Sequence, residues 1–165
     1  MSDLSDIVVG VVALNDGQLV GKTRLQKTIF LLEACGLECG IDFDYHNFGP
    51  FSSDVAIAVD DARDMGLLRV DERYGYHAVP YAIFETEENA PQGLGNLSAA
   101  TVRRILQDLS QYSALELEVA ATVHYLRETE YGDDAIEEVK VRKPVKASRE
   151  RLERSLQLLE GLGLE

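Results

Sequence analysis

The sequence predicts an α+β fold that is mostly helical, on three observations. Apolar residues recur at three- and four-residue spacing through most of the chain. Two short stretches alternate with a period of two instead. The order of these segments, helix, helix, short strand, helix, β-hairpin, is that of a winged helix, and further helices follow it. Residues 1–86 are expected to form the winged-helix-like unit, and residues 87–165 a helical extension packed on it as one compact domain.

Residues 3–14 place Leu4, Ile7, Val8, Val11 and Val12 on one helical stripe. Asn15-Asp16-Gly17 turns the chain. A second helix is expected over 23–35, capped by Thr23, with Leu25, Ile29 and Leu32 inward and Gly36 as its stop. Residues 41–48 alternate and are aromatic-rich, so they read as extended, and Gly49-Pro50 reads as the turn after them. Ser52 or Ser53 caps a third helix, which ends at Gly66. Residues 67–84 read as a hairpin turning at Tyr74-Gly75, with Pro80 pushing its second strand to a sheet edge. Glu85–Gly95 is the best loop or hinge. Four helices then follow over 98–111, 113–126, 133–141 and 148–162, with capping boxes at Ser113-x-x-Glu116 and Asp134-x-x-Glu137.

A chain of 165 residues with 45% apolar and 27% charged residues is globular in composition. It buries roughly two-thirds of its unfolded surface and needs no disulfide or metal to fold. No apolar run reaches the eighteen or so residues that span a bilayer, and Asp3 and Asp6 replace the basic flank of a signal peptide, so a cytoplasmic, non-membrane protein is expected. The net charge of −13 disfavours a large nucleic-acid-binding face. It fits either a surface that attracts a basic partner or adaptation to high salt. Against this acidic body, residues 140–154 carry seven basic and two acidic residues. Lys140, Arg142, Lys143, Lys146 and Arg149 are therefore a candidate basic patch, which either docks an acidic partner or phosphate backbone or folds onto the chain's own acidic surface.

Catalytic and cofactor patterns are absent from the sequence. Gly21-Lys22-Thr23 lacks the phosphate-loop spacing, because Gly17 stands one residue too close and a helix precedes it. Cys35 and Cys39, with His46 beyond them, fall short of four zinc ligands, and His77 and His124 are distant in sequence. Neither cysteine has a patterned base and orienting group. No catalytic residue, metal or cofactor is expected. An enzymatic reading would need a deep pocket holding a perturbed carboxylate or a metal.

The most specific stretch is Gly21–Pro50. Residues 21–33 (GKTRLQKTIFLLE) are followed by 43–52 (FDYHNFGPFS), then by Gly66-Leu67-Leu68, and by Lys143-Pro144 before the last helix. Over roughly residues 4–162 this combination resembles the YwgA-like and SocA-like (Panacea, DUF4065) group of small prokaryotic proteins. In that group a "kLQKiiFLL" helix precedes an aromatic strand, a "GP[FY]S" turn, a helix ending in "GLL" and a late "KP". The resemblance implies a non-catalytic binding module of antitoxin or adaptor type, or a regulator, that grips a partner protein.

Physically, Phe48-Gly49-Pro50-Phe51 is a rigid turn with two aromatics, and Ser52 opens a helix N-terminus behind it. Arg24 and Lys27 lie three apart and face one way on the preceding helix. With Tyr45, Phe48, Pro50, Phe51 and Ser52 they form a candidate partner-binding groove with an aromatic floor and a cationic rim. The competing reading makes the two phenylalanines core. A protein partner is expected, and a homodimer is left open. A winged-helix DNA reader is the alternative. It is disfavoured because its third helix would carry Asp54, Asp60, Asp61 and Asp64 against Arg63 alone.

Overall fold

The computed structural model of the chain describes residues 3–165. Its fold is α+β and mostly helical, with one three-stranded antiparallel sheet and two minimal hairpins. Helix α1 (Leu4–Leu14) is buried along nearly its whole length. It leads through Asn15–Gly17 into a three-residue strand β1 (Gln18–Val20) that the sequence reading missed. Gly21 then turns the chain at φ +104, and its N–H donates to Ala82 O at 2.8 Å. Helix α2 (Lys22–Ala34) therefore starts at Lys22 with Gly21 at its cap, and Thr23 does not cap it.

Strands β2 (Asp44–His46) and β3 (Gly49–Phe51) form a tight hairpin. Its turn is Asn47-Phe48, and Gly49-Pro50, expected as the turn, lies in the second strand. Ser52 caps α3 (Ser53–Asp64), its hydroxyl accepting from Val55 N–H. Strands β4 (Arg69–Tyr74) and β5 (Pro80–Glu85) form the longer hairpin, joined by a helical turn at Tyr76–Ala78. The sheet order is β1-β5-β4, so β5 is central and the edge position expected for it is wrong. Pro80 is tolerated because it begins the strand opposite Tyr74, beyond the reach of β1, which ends its pairing at Ile83.

The segment after Glu85 is the expected loop over residues 86–92 and is anchored beyond them. It holds a miniature hairpin of β6 (Gly93–Leu94) and β7 (Leu97–Ser98), with Leu94 buried. A side chain at Gly10 of α1 would collide with Leu94, so backbone and leucine meet directly. The Asn96 amide donates to Gly36 O, and its oxygen accepts from Glu38 N–H.

Helices α4 (Ala99–Leu109), α5 (Ala114–Leu126), α6 (Ala135–Arg142) and α7 (Arg149–Gly161) complete the chain. The Ser113–Glu116 capping box is formed, whereas Asp134 makes no side-chain cap bond, so the second box is not. A π-helical turn at Arg127–Tyr131 extends α5. Leu117–Val123 of α5 is buried all round, and this helix meets α2, β3, α6 and α7. One apolar core accordingly runs from Ile7 to Leu159.

Candidate functional site

The β2–β3 hairpin is held at its base by polar groups buried inside the fold. Gln26 of α2 grips Ser52 at both ends, its amide donating to Ser52 O and its oxygen accepting from Ser52 N–H, each at 2.9 Å. One residue on, the Lys27 ammonium donates to Pro50 O at 2.7 Å and is only 1% exposed. Burial lowers its pKa to about 8, with Glu118 pulling it up and Lys143 and Lys146 pushing it down.

Glu118 sits at the centre of this cluster. It is 1% exposed on α5 and accepts from Lys143 Nζ at 2.7 Å and Lys146 Nζ at 3.0 Å. Lys143 also donates to Asn47 O at 3.1 Å, which ties the hairpin turn to the 143–147 connection. Thr122 lies one turn along α5, where its hydroxyl donates to Glu118 O. Gly49 passes so close that an added Cβ would stand 2.6 Å from Thr122 Oγ1, and its φ of +86 independently favours glycine. Three ammonium groups therefore surround one carboxylate, and the cluster carries excess positive charge within a strongly acidic protein.

Above this buried cluster the hairpin tip and the basic segment meet at the surface. Lys146 Nζ lies 4.5 Å from the Phe48 ring centroid, and Phe48 is 56% exposed. The Arg142 guanidinium lies 4.7 Å from the Tyr45 ring. It also bonds Glu138 and the Tyr131 hydroxyl, which keeps it charged well above the ordinary arginine range. Val145 is exposed beside Lys146. The result is an aromatic and aliphatic surface edged by cations, on which a carboxylate-bearing segment could settle.

The structure thus joins Tyr45 and Phe48 to Arg142, Lys143 and Lys146, two groups the sequence reading kept apart. It corrects the expected rim. Arg24 points away from the hairpin and donates to Leu109 O and Tyr112 O at the C-terminal end of α4. Burial lowers its pKa. Lys27 points inward, so the two cations of α2 share no exposed edge. Pro50 and Ser52 are buried and Phe51 is half-buried, which makes them supports of the hairpin, not a groove floor. Lys140 pairs with Glu137, and Arg149 with Glu153, on the solvent side of their own helices.

Sequence reasoning missed Glu118, Gln26 and Thr122. Glu118 is a charge inside the apolar run Leu117–Val123, and Gln26-Lys27 interrupt the apolar stretch of α2. Polar residues at such positions need internal partners.

Elsewhere, the Cys39 thiol donates to the Glu33 carboxylate. Burial and the neighbouring Glu33 carboxylate push its pKa up to about 12. Burial likewise raises that of Cys35. His124 packs edge-on to Phe30, its Nδ1 without a hydrogen-bond partner, and burial lowers its pKa. Among the described residues no three His, Cys, Asp or Glu side chains gather as a metal set, and no helix is long and apolar enough to cross a membrane.

No protein-family model matches the chain. Over 150 residues, covering 90% of this chain and 90% of the relative, it is 21% identical to the uncharacterized protein YwgA of Bacillus subtilis (strain 168). This likeness supports a YwgA-like relationship along nearly the whole chain.

Proposed function

We propose that the chain is a non-catalytic binding module, of antitoxin or adaptor type, that grips an acidic segment of a partner protein with the surface formed by Phe48, Arg142, Val145 and Lys146. The observation that carries this reading is the stacking of Lys146 on a half-exposed Phe48, above a buried cluster with more ammonium than carboxylate. The exposed phenylalanine and the cations beside it offer matching contacts to a partner's apolar side chain and carboxylate. The buried clamps on Pro50, Ser52 and Asn47 pre-organise the hairpin, which lowers the ordering cost of binding. The N-terminal unit is read as winged-helix-like and the protein as cytoplasmic. The Panacea-type regulatory role suggested by the sequence motifs belongs to the same proposal.

A winged-helix DNA reader draws less support. The solvent face of α3 carries Asp54, Asp60, Asp61 and Asp64 against Arg63, so approach to a phosphate backbone meets repulsion where a DNA reader gains counterion release. Affinity capture from the native host, at the host's own salt concentration, tests the proposal. It should return one protein in stoichiometric amount, encoded near this chain's gene. Recovery of the bait alone, or a mobility shift of the chain's own upstream DNA in its place, would contradict it.

A further inference from the structure

Among the described residues, strand β4 has β5 on one side and no strand on the other. The phase of its hydrogen bonds follows from its end. Gly75 N–H donates to Val79 O, so the pairs Arg73–Tyr81, Asp71–Ile83 and Arg69–Glu85 are the bonded ones by alternation. Val70, Glu72 and Tyr74 consequently turn their N–H and C=O groups to the open edge. Pro80, which has no N–H, stands opposite Tyr74 and agrees with this phase.

The two faces of β4 differ. Arg69, Asp71 and Arg73 share the outer face, where Arg69 meets Glu85 at 3.1 Å and Asp71 at 4.0 Å. Val70 and Glu72 line a groove of about 620 Å³ between β4 and α3, floored by Leu25, Val55, Val59 and Phe84. Tyr74 shares their face and is 72% exposed. A six-residue open edge beside an apolar groove and a bare tyrosine is a template for strand addition.

We infer that the occupant of this edge is β4 of a second copy of the chain, paired antiparallel about a two-fold axis at Glu72. Such an axis, normal to the sheet, matches each face with itself, so the two strands can centre on Val70, Asp71, Glu72 or Arg73, and the last sets Arg73 against Arg73 and leaves Asp71 without a partner charge. Centring on Asp71 sets Arg69 against Arg73 and Asp71 against Asp71, which is repulsive. Centring on Val70 leaves Arg73 and Tyr74 beyond the partner strand. Centring on Glu72 pairs Arg73 with Asp71 twice and places the Tyr74 ring of each copy over Val70 of the other, at the mouth of the groove. The outward groups of Val70, Glu72 and Tyr74 then meet in bonded pairs. The two Glu72 side chains stand opposite, each held by its own Lys22 at 3.2 Å.

Analytical ultracentrifugation of the full chain over a concentration series tests this. Wild type is expected to dimerise. Arg73→Asp and Asp71→Arg should each raise the dimer dissociation constant at least about tenfold, because two attractive pairs become repulsive. An equimolar mixture of the two variants should restore a heterodimer, since every pair is then of opposite sign. Tyr74→Ser, which leaves all charges in place, should weaken the dimer while melting like wild type at concentrations where both are monomeric. A wild type monomeric throughout the series, an Arg73→Asp variant that dimerises like wild type, or a mixture that stays monomeric would overturn the inference.

Discussion

Glu118→Gln removes one negative charge from the buried cluster while keeping almost the same shape. In the wild type, Glu118 is the carboxylate that Lys143 and Lys146 share, at 2.7 and 3.0 Å. Lys143 is 5% exposed and, among the described residues, its other acceptor is Asn47 O alone. Lys146 is a third exposed on its side chain, so water compensates it. Most of the cost thus falls on Lys143, with a smaller part on Lys27, whose charge Glu118 also supports. Breaking a buried pair by removing one partner costs about 3–5 kcal/mol. For a chain of this length that lowers the melting temperature by roughly 6–20 °C. Urea unfolding followed by circular dichroism reads it as a lower midpoint with unchanged slope. Adding Lys143→Met to Glu118→Gln should recover much of the loss, because the stranded ammonium is then gone. A Glu118→Gln protein within about 1 kcal/mol of wild type would mean that Glu118 is not what holds the Lys143 charge in the fold. Failure of Lys143→Met to rescue would show that packing, not charge, sets the cost.

Lys27 gives a pH signature. Its pKa is about 8 in the folded protein against 10.5 ordinarily, so between those values the unfolded chain binds more protons and stability from this group rises with pH. The stability difference between wild type and Lys27→Met should move in favour of wild type by up to roughly 3 kcal/mol from pH 7 to pH 10.5. The opposite trend from the raised Cys39 thiol is common to both proteins and cancels; a flat difference would mean that Lys27 is not held in a desolvated site. Gly49→Ala should destabilise by about 1–3 kcal/mol, because it imposes φ +86 on a β-carbon facing Thr122. Pairing it with Thr122→Ala should relieve the steric share and leave the backbone share, as read by urea midpoints. Gln26→Leu should cost about 1–3 kcal/mol, since Ser52 N–H loses its buried acceptor, while Ser52 O keeps the Ala56 N–H at 3.4 Å. Amide hydrogen exchange at Ser52 should speed up with it, and unchanged exchange would count against the clamp.

Long amphipathic elements were legible because their cause is local. The stripes of α1, α4 and α7 and the caps at Ser52 and Ser113 are all written within a few neighbouring residues, although Ser98 and Ser148, expected as first helical residues, are themselves caps. Most of what failed depends on partners distant in sequence. Strand β1 is three residues long and exists because β5 offers Ile83, Phe84 and Glu85 to it. Pro80 looked like an edge marker because its position beyond the end of β1 is a tertiary fact. Asp134 carries the right capping-box spacing but sits at ψ 0, set by the π-helical and helical turns before it. At the site, both the hairpin aromatics and the basic segment were visible, yet their meeting was not, since Lys143 and Asn47 are 96 residues apart. The direction of a helical cation is equally hidden. Arg24 and Lys27 share a side of α2 by spacing, but the carbonyls waiting at the end of α4 and at Pro50 draw them apart.

The central claim is that the hairpin tip and the basic connection act as one gripping surface. Its most direct test is partner capture by Phe48→Ala and Lys146→Glu variants beside wild type, from the native host at its own salt concentration. Phe48→Ala removes only an exposed ring and one cation–π contact, worth about 0.5–1 kcal/mol to the fold, so that variant remains folded. Lys146→Glu brings a second carboxylate to Glu118, so its melting curve is recorded alongside. Phe48→Ala is expected to melt close to wild type and to lose its captured protein, and Lys146→Glu is expected to lose it as well. Undiminished capture by Phe48→Ala together with a folded Lys146→Glu would contradict the claim.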